Sequence, residues 1–318
     1  MALTKVSNSM LVQPVNHNIL INPSFTVKQR GDVVVHDEAS YGPDRWRVTG
    51  KNYVGCIKVE SSTEVDAATG VNKLVVKHEG TTAKDAHVYQ YVETVNLQGL
   101  YNKEITLSFG YSDVGGSGIP KVEIRSWDSS DIVKSLYDAV PTSLGDNRWT
   151  CTFTLSTADG TIPDPSEHGV IVIIHPNEKN PAPSEWRVWE TKLEAGLVVT
   201  PFIARQYGEE LALCQRYFYI IEEKSEYPFN LLYPERHSLV VNFPVQMRVP
   251  PTNTLEPTIN NGRYGAGGFL NGATVIDFKG YHPNTQRAWF DVGSIGGARS
   301  SGSGGVEISN EPTFDAEL

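Results

Sequence analysis

Short apolar runs, each about as long as a β-strand and each followed by turn residues, recur through residues 18–200. The clearest are 74–77, 87–95, 105–111, 121–127, 149–155, 170–175 and 186–193. Because no helical periodicity separates these runs, they predict an antiparallel β-sandwich. The 28 glycines and 19 prolines of the 318-residue chain fit a turn-rich β protein.

Alternation within two of these runs predicts which side chains face the core. In the run 149–155 every second residue, starting with Trp149, points inward and the intervening threonines point outward. In the run 121–127, Val122 and Ile124 point inward, so Arg125 lies on a polar outer face. Trp46 and Trp186, like Trp149, are predicted to pack in the core.

Residues 207–224 have the pattern of a helix that is apolar on two sides. Acidic side chains occupy its first turn and Lys224 its end, which suits the helix dipole. A helix of this kind is buried on two sides. One stripe is predicted to form an oligomer interface, most simply in a homotrimer, and it consists of Leu211, Cys214, Phe218 and Ile221.

Four zones follow from these patterns. Residues 1–17 form an N-terminal arm, residues 18–206 a sandwich domain, residues 207–224 a linking helix, and residues 225–318 a small C-terminal β domain. The last zone has few apolar residues for its length and many glycines between 262 and 305, which predict turns and loops. We expect it to complete its core against other copies of the chain.

Composition and missing motifs exclude several function classes. A net charge of −10 without a Lys/Arg cluster disfavours nucleic-acid binding. No secretory signal and no membrane-spanning run is visible, so we expect synthesis in a cytoplasm and no membrane insertion. The sequence contains none of the common hydrolase, zincin, P-loop or dinucleotide motifs, so we expect neither an enzyme nor a cofactor. Cys56, Cys151 and Cys214 are expected to be free thiols.

Several blocks of sequence resemble tailed-phage fibre and virion proteins. Residues 18–25 (NILINPSF), 29–31 (QRG) and 41–46 (YGPDRW) resemble the opening of the carbohydrate-binding-module-like jelly rolls in those proteins. Residues 189–196 (WETKLEAG), 200–202 (TPF) and 207–218 (YGEELALCQRYF) resemble the closing strand and helix, and 243–248 (FPVQMR) with Pro251 and Thr252 the start of the C-terminal domain.

The resemblance implies a jelly-roll sandwich, a place in the virion and trimerisation. Separately, we predict that the arm, residues 1–17, docks the subunit to other proteins of the particle or to neighbouring subunits. Jelly rolls of this kind often hold a structural calcium ion, for which Asn22, Glu190 and Glu194 are candidate ligands.

Aromatic residues on polar faces are candidates for glycan binding, because sugar rings stack on flat aromatic faces. One candidate site is Trp289 with Arg287 and Asp291 on the same face of a predicted strand, and Tyr264 and Tyr281 are near it in sequence. The second candidate site consists of Trp127 and Arg125 in the run 121–127.

The sequence therefore predicts a structural virion protein, fibre-like or decorating, that binds host-surface glycans. One alternative is a glycan-active depolymerase or hydrolase on a sandwich scaffold. A second is a cellular carbohydrate-binding module.

Overall fold

A computed structural model of the chain describes residues 18–36, 39–49, 58–79, 86–114, 118–127, 132–155, 169–177, 184–221, 226–233, 236–253, 259–264, 268–271, 278–292, 303–308 and 313–317. The predicted attachment arm and Cys56 lie outside the described residues. The chain divides into two compact units, Met1–Glu210 and Leu211–Leu318.

The N-terminal unit is built from strands and one short helix. Its elements are β1 (Val33–His36), β2 (Ser40–Tyr41), β3 (Arg47–Val48), β4 (Lys58–Val65), β5 (Asn72–Glu79), β6 (Val88–Val92), α1 (Thr94–Leu97), β7 (Glu104–Val114), β8 (Pro120–Trp127), β9 (Ile132–Ala139), β10 (Thr142–Gly145), β11 (Arg148–Thr154), β12 (Val170–Pro176) and β13 (Ser184–Ala195).

These strands form two antiparallel sheets. The seven-stranded sheet has the order β1-β4-β5-β13-β7-β11-β10, and the six-stranded sheet has the order β2-β3-β6-β12-β8-β9. Their facing sides share one apolar core that includes the fully buried Trp46, Phe109 and Trp186. The prediction of an antiparallel jelly-roll β-sandwich is confirmed.

The predicted alternation is also confirmed within the core. Val122 and Ile124 of β8 are fully buried, and Cys151 and Phe153 of β11 are buried while Trp149 packs half-buried against the same core. The predicted strand 87–95 is shorter, because β6 ends at Val92 and α1 follows it.

The segment that opens the sandwich is fastened to its last strand by hydrogen bonds. Asn18 Nδ2 donates to the carbonyl of Thr191 at 2.8 Å, and the amide of Ile19 donates to the carbonyl of Leu193 at 2.9 Å. The amide of Ile21 donates to Gln90 Oε1 at 2.8 Å, so the same segment also reaches the six-stranded sheet. One end of the sandwich is therefore closed by backbone that belongs to neither sheet.

A buried ion pair links this opening segment to the end of the unit. Arg205 Nη1 lies 3.1 Å from Glu210 Oε2 and donates to the carbonyl of Leu20 at 3.0 Å. Glu210 Oε1 accepts a hydrogen bond from the amide of Asn22 at 2.5 Å. Glu210 is 1% exposed, so this carboxylate depends on these donors for its stability in the interior.

Helix α2 (Tyr207–Gln215) is followed by strands: β14 (Phe218–Ile220), β15 (Glu226–Tyr233), β16 (Arg236–Asn242), β17 (Thr252–Asn253), β18 (Ile259–Tyr264), β19 (Gly268–Asn271), β20 (Phe278–Pro283), β21 (Arg287–Val292), β22 (Ser303–Ile308) and β23 (Thr313–Asp315). They form a seven-stranded sheet in the order β19-β18-β22-β15-β16-β21-β20 and a three-stranded sheet in the order β14-β23-β17.

The predicted helix 207–224 ends at Gln215, residues 216–221 are not helical, and residues 222–224 lie outside the described residues. A turn closes on Tyr217, whose amide donates to the carbonyl of Cys214 at 2.9 Å, and β14 then pairs with β23. The aromatic and β-branched residues that follow the turn favour an extended backbone once a partner strand is present. That partner is almost a hundred residues away in sequence, so local periodicity gave no sign of it.

The predicted oligomer interface also needs correction. Cys214 and Ile221 are 0% exposed and Phe218 is 5% exposed within a single chain, while Leu211 is half-buried. The first three side chains already lie in the interior, so they leave almost no surface for a second subunit. A trimer stays a prediction, and its interface has to use other residues.

The Gly-rich region is not made of loops alone. Gly304 and Gly305 lie in β22, which pairs with β15 on one side and β18 on the other. Gly262 lies in β18. Glycines within strands bring backbones together without side chains, and the sequence cannot separate that use from a turn.

Candidate functional site

The outer face of the six-stranded sheet carries one row of directly paired residues that crosses all six strands. Arg47 pairs with Tyr41 on one side and Tyr89 on the other. The row continues through the pairs Tyr89–Ile173, Ile173–Glu123 and Glu123–Asp138. Neighbouring residues on these strands, such as Val48, Val88 and Val122, are fully buried in the core, so the row lies on the side away from it.

Aromatic rings surround Arg47 at one end of this row. The guanidinium carbon of Arg47 lies 5.4 Å from the ring centroid of Tyr41, 5.6 Å from that of Tyr89 and 5.8 Å from that of Tyr91. All three distances are within the range of cation–π attraction. Tyr89 and Tyr91 meet edge to face at 5.7 Å. We call Tyr41, Arg47, Tyr89 and Tyr91 the tyrosine–arginine cluster.

A network of charges occupies the other end of the row. Arg125 Nη2 donates to Glu123 Oε2, and Lys121 Nζ lies 2.5 Å from Asp138 Oδ1. His175 Nε2 donates to Glu123 Oε1 at 3.3 Å. This hydrogen bond, with the nearby positive charge of Arg125, lowers the pKa of Glu123 to about 2. The positive charges at this end therefore each have an acidic partner.

Two isoleucines lie between the two ends. Ile171 and Ile173 are 4% and 6% exposed although they point away from the core. Each stands between a tyrosine of β6 and a charged residue of β8, because Ile171 pairs with Tyr91 and Arg125 and Ile173 with Tyr89 and Glu123. The middle of this row therefore presents almost no surface, and a ligand on this face can contact the tyrosine–arginine cluster at one end and the charge network at the other.

Two histidines lie beside the network. The rings of His87 and His175 have centroids 4.4 Å apart. His87 directly precedes β6 and His175 is the outward residue next to Ile173 on β12, so the pair continues the same face. Because His175 is 7% exposed, its ring packs within this face and presents little surface.

The outer face of the seven-stranded sheet has a different surface. Arg187 of β13 is ion-paired with both Glu64, at 2.6 Å, and Glu185. Lys73 Nζ lies 2.6 Å from Asp66 Oδ2 and 5.0 Å from the ring centroid of Trp189. This face therefore presents balanced ion pairs.

Trp189 is held flat against the seven-stranded sheet. A Cβ atom built on Gly110, the residue paired with it, would lie 2.0 Å from the indole ring. The indole therefore rests directly on the Gly110 backbone, while Lys73 lies over the ring. With Gly110 and Lys73 both against the ring, we treat Trp189 as a packing residue.

The two glycan sites predicted from the sequence lie in different units, the site with Arg125 in the N-terminal unit and the site with Trp289 in the C-terminal unit. Arg125 lies on the outer face as predicted, but its charge is taken by Glu123. The side chain of Trp127 lies outside the described residues, although its backbone is part of β8.

In the C-terminal unit, Arg287, Trp289 and Asp291 lie in β21, which pairs with β20 and β16 on its two sides. Tyr281 lies on the adjacent β20, but Tyr264 lies on β18, and β22, β15 and β16 stand between β18 and β21. Tyr264 and Trp289 therefore lie on strands that are not neighbours in this sheet, and the glycan site stays a prediction. Arg287 is exposed, and the side chains of the other four lie outside the described residues.

The candidate calcium ligands have three different sets of partners. Asn22 is fully buried, and its amide bonds to the backbone of Val27 and Asp44. Glu190 lies 3.1 Å from Arg148 Nη1. Glu194 accepts from the amide and hydroxyl of Thr200 at 2.9 and 2.5 Å. A calcium ion stays a prediction, and it would have to compete with these partners.

Among the residues that the structure describes, no group of three or more His, Cys, Asp or Glu side chains has metal-binding geometry. In the same residues, no helix has the length and apolar content needed to span a bilayer. Burial raises the pKa of the Cys151 thiol to about 12, which leaves it protonated and unreactive at neutral pH.

Sequence reasoning missed the tyrosine–arginine cluster. A signal was present in residues 88–92, Val-Tyr-Gln-Tyr-Val, whose alternation puts Tyr89 and Tyr91 on one face. Tyr41 and Arg47 come from strands of two residues each, which are too short to be recognised by their pattern. Only the pairing of β2, β3 and β6 brings the four residues together.

Comparison with known proteins gives the following picture. No family model matches the chain, and no curated protein matches it. Among solved structures, a putative sugar binding protein from Bacteroides thetaiotaomicron VPI-5482 is similar with 11% identity and a TM-score of 0.37, covering 56% of this chain and 100% of that one.

The CBM22-1 xylan-binding domain from Paenibacillus barcinonensis Xyn10C is similar with 14% identity and a TM-score of 0.32, covering 53% of this chain and 97% of that one. The enzymatically active domain of bacteriophage CBA120 tailspike protein 4 is similar with 11% identity and a TM-score of 0.34. That match covers 58% of this chain but only 22% of the tailspike chain.

Proposed function

We propose that the chain binds glycans on the outer face of the six-stranded sheet and contributes this binding surface to a tailed-phage particle. The observation that supports the binding proposal is the tyrosine–arginine cluster, in which three tyrosine rings lie within cation–π range of one arginine. Sugars present C–H faces that stack on aromatic rings and hydroxyls that bond to charged groups. This face supplies both in one row.

The glycan proposal is tested with alanine variants of Tyr89 and Tyr91 and a panel of immobilised bacterial surface polysaccharides. Each change removes one stacking surface and should cost about 2 kcal/mol of binding free energy, by analogy with other aromatic anchors. The matched control is Tyr207→Ala, since Tyr207 is 59% exposed and lies on α2 rather than on this face.

Circular dichroism and thermal unfolding check that each variant folds. Wild-type binding that drops in both variants and persists in Tyr207→Ala supports the proposal. If no polysaccharide in the panel binds the wild-type chain, or if both variants bind as the wild type does, the proposal is wrong.

Binding without turnover is the form of activity that we propose. The paired carboxylate-bearing residues on the face, Glu123 and Asp138, are each engaged with a cation. A glycosidase instead keeps one protonated and one free carboxylate on either side of the scissile bond. Incubation of a bound polysaccharide with the chain should release no new reducing ends, and their release would establish the depolymerase alternative.

The place in a phage particle rests on the sequence blocks that resemble virion proteins. Several of them form the contacts that close the sandwich: residues 18–25 supply Asn18 and Asn22, and residues 207–218 supply Glu210. We therefore propose a virion component in the homo-oligomeric, fibre-like or decorating class. Mass spectrometry of purified particles should find the chain, and its absence there would favour a cellular binding module.

A further inference from the structure

We infer that the glycan is acidic and that Arg47 binds its carboxylate or sulfate group. This inference rests on the proposed function and adds the class of ligand. The guanidinium of Arg47 donates from Nη2 to the carbonyl of Ala39 at 2.8 Å and from Nη1 to the hydroxyl of Tyr91 at 3.4 Å. These bonds occupy two of its five N–H donors.

Arg47 also lacks an acidic partner in the described part of the chain. No Asp or Glu oxygen of the described residues lies within ion-pair distance of it, and its Nε has no hydrogen-bond partner there. Tyrosine rings supply cation–π attraction, which is weaker than an ion pair with a desolvated carboxylate. The cluster therefore holds a positive charge that nothing in the described structure neutralises.

The other cations of the two outer faces are different in this respect. On the six-stranded sheet, Arg125 and Lys121 each have a carboxylate. On the seven-stranded sheet, Arg187 has two and Lys73 has one. Among these described cations, Arg47 is thus the one without a carboxylate, and it lies where the aromatic rings are.

More positive charge gathers at the same end of the sheet. The guanidinium carbon of Arg30, in the turn before β1, lies 4.6 Å from the ring centroid of Tyr41. This ring therefore has two arginines within cation–π range, Arg30 and Arg47. Arg45 donates to the carbonyl of Tyr91 at 2.8 Å. The buried Asp44 compensates Arg30 at 3.4 Å. Arg30, Arg45 and Arg47 thus all contact the tyrosines of this cluster, in a chain whose net charge is −10.

An acidic sugar fits this chemistry better than a neutral one. A guanidinium binds a carboxylate or sulfate through parallel, charge-assisted hydrogen bonds, and the tyrosines can stack on the pyranose that carries the acid. A neutral sugar leaves the charge of Arg47 without a partner. Nucleic acid is a less suitable ligand, because its affinity depends on many phosphate contacts and this cluster offers one arginine without an acidic partner in the described residues.

The experiment compares acidic polysaccharides with their own carboxyl-reduced forms, using the full chain. Polygalacturonate, alginate and polysialic acid serve as probes, each paired with its reduced polymer, and binding is measured by calorimetry at low and high salt. We expect at least one acidic probe to bind on the order of tenfold or more tightly than its reduced form, because a charge-assisted hydrogen bond is lost on reduction. High salt should diminish that preference.

Arg47→Gln should abolish the preference and leave weak, salt-independent binding to both members of the pair. The matched control is Arg187→Gln, an arginine of similar exposure on the seven-stranded sheet, which should keep the preference. If Arg47→Gln does not fold, the acid-to-reduced ratio and its salt dependence in the wild-type chain decide the question.

The outcomes separate this inference from the proposed function. Equal binding of acidic and reduced polymers through Tyr89 overturns the acidic class and leaves glycan binding in place. If the chain binds a neutral polysaccharide of the larger panel but none of these acidic probes, the acidic class is likewise wrong and glycan binding stands. Displacement of the probes by a single-stranded oligonucleotide at lower concentration overturns it in favour of nucleic acid.

Discussion

On the seven-stranded sheet, the outward arginine of β13 touches two carboxylates, whereas on the six-stranded sheet the outward arginine of β3 touches three tyrosines. Strand β13 is the central strand of its sheet, and β3 lies beside the edge strand β2 of the other sheet. The two sheets cover the same core. Arg187 thus has its counter-charges within the fold, and Arg47 has only ring faces and two hydrogen bonds. Both faces carry arginines and aromatic residues, so these residue types alone do not identify a binding surface. What distinguishes the six-stranded sheet is an arginine without a carboxylate partner among the described residues.

The aromatic residues of the two faces differ in the same way. Trp189 is pressed on Gly110 and lies against Lys73, so its ring faces serve the fold. Tyr89 and Tyr91 meet edge to face at 5.7 Å, and both rings lie within cation–π range of Arg47. A tryptophan on an outer face is therefore weaker support for a sugar site than a pair of tyrosines around an unbalanced cation.

The largest expected effect comes from adding a methyl group at a closely packed glycine of each sheet and comparing the loss of stability. A Cβ atom at Gly169, just before β12 of the six-stranded sheet, would lie 1.9 Å from the carbonyl oxygen of Val92. Backbone has to move to make room, so Gly169→Ala should lower the free energy of unfolding by about 3 kcal/mol or more. Gly110→Ala displaces only the ring of Trp189 and should cost less, about 1–2 kcal/mol.

Urea unfolding followed by circular dichroism measures both changes, and the fluorescence of Trp189 should change only in Gly110→Ala. Gly208→Ala is the control, because a Cβ there meets no atom within 4 Å and α2 gains a better helix former. A larger loss in Gly110→Ala than in Gly169→Ala would contradict the comparison.

Acid should affect the two sheets in different pH windows. Burial lowers the pKa of His36, on β1 of the seven-stranded sheet, from 6.5 to about 4. Between these values the unfolded chain binds a proton that the folded chain does not, so stability is lost as the pH falls from about 6.5 to about 4, by up to about 3 kcal/mol. The pKa of Glu123, on the six-stranded sheet, is lowered from 4.5 to about 2, so its contribution is lost as the pH falls through that lower range.

Unfolding measured from pH 7 to pH 2 separates the two windows. His36→Gln removes a ring that lies 2.7 and 2.8 Å from the hydroxyls of Ser61 and Ser40, and it should flatten the stability curve above pH 4. Glu123→Gln should flatten it only below about pH 4.5. Identical curves for the wild type and both variants would show that neither group is linked to folding.

The smallest expected effect is on the balanced surface. Arg187→Gln leaves Glu64 without its cation, but Glu64 is 41% exposed and water can solvate it, while Glu185 keeps Lys77 at 3.5 Å. The loss of unfolding free energy should be less than about 1 kcal/mol. Glycan binding should not change, and a change would mean that the ion pairs of the seven-stranded sheet belong to the binding surface.

Sequence alone predicted the core better than the surface. Trp46, Trp186, Val122 and Ile124 are all buried as expected, because inward positions repeat with a period that a single strand displays. The tyrosine–arginine cluster depends on which strands are neighbours. Tyr41 and Tyr89 are separated by forty-eight residues in sequence and by only β3 in the sheet, and no local pattern records that adjacency.

The errors in the C-terminal unit have the same physical origin. Phe218 and its neighbours have apolar spacing that suits a helix, yet they form β14 because β23 pairs with them. The glycines near residue 304 have the composition of a loop, yet they form a strand between two others. Non-local pairing overrides local preference in both cases.

The ion pair of Arg205 and Glu210 joins the first and last described segments of the N-terminal unit at one place, since both residues bond to backbone between Asn18 and Asn22. A module whose two connections leave from the same point can be exchanged between longer proteins without rearranging its fold. We therefore expect that the sandwich can be moved between proteins as a unit. A hybrid protein that carries residues 18–210 between other domains should keep the tyrosine–arginine cluster of the six-stranded sheet.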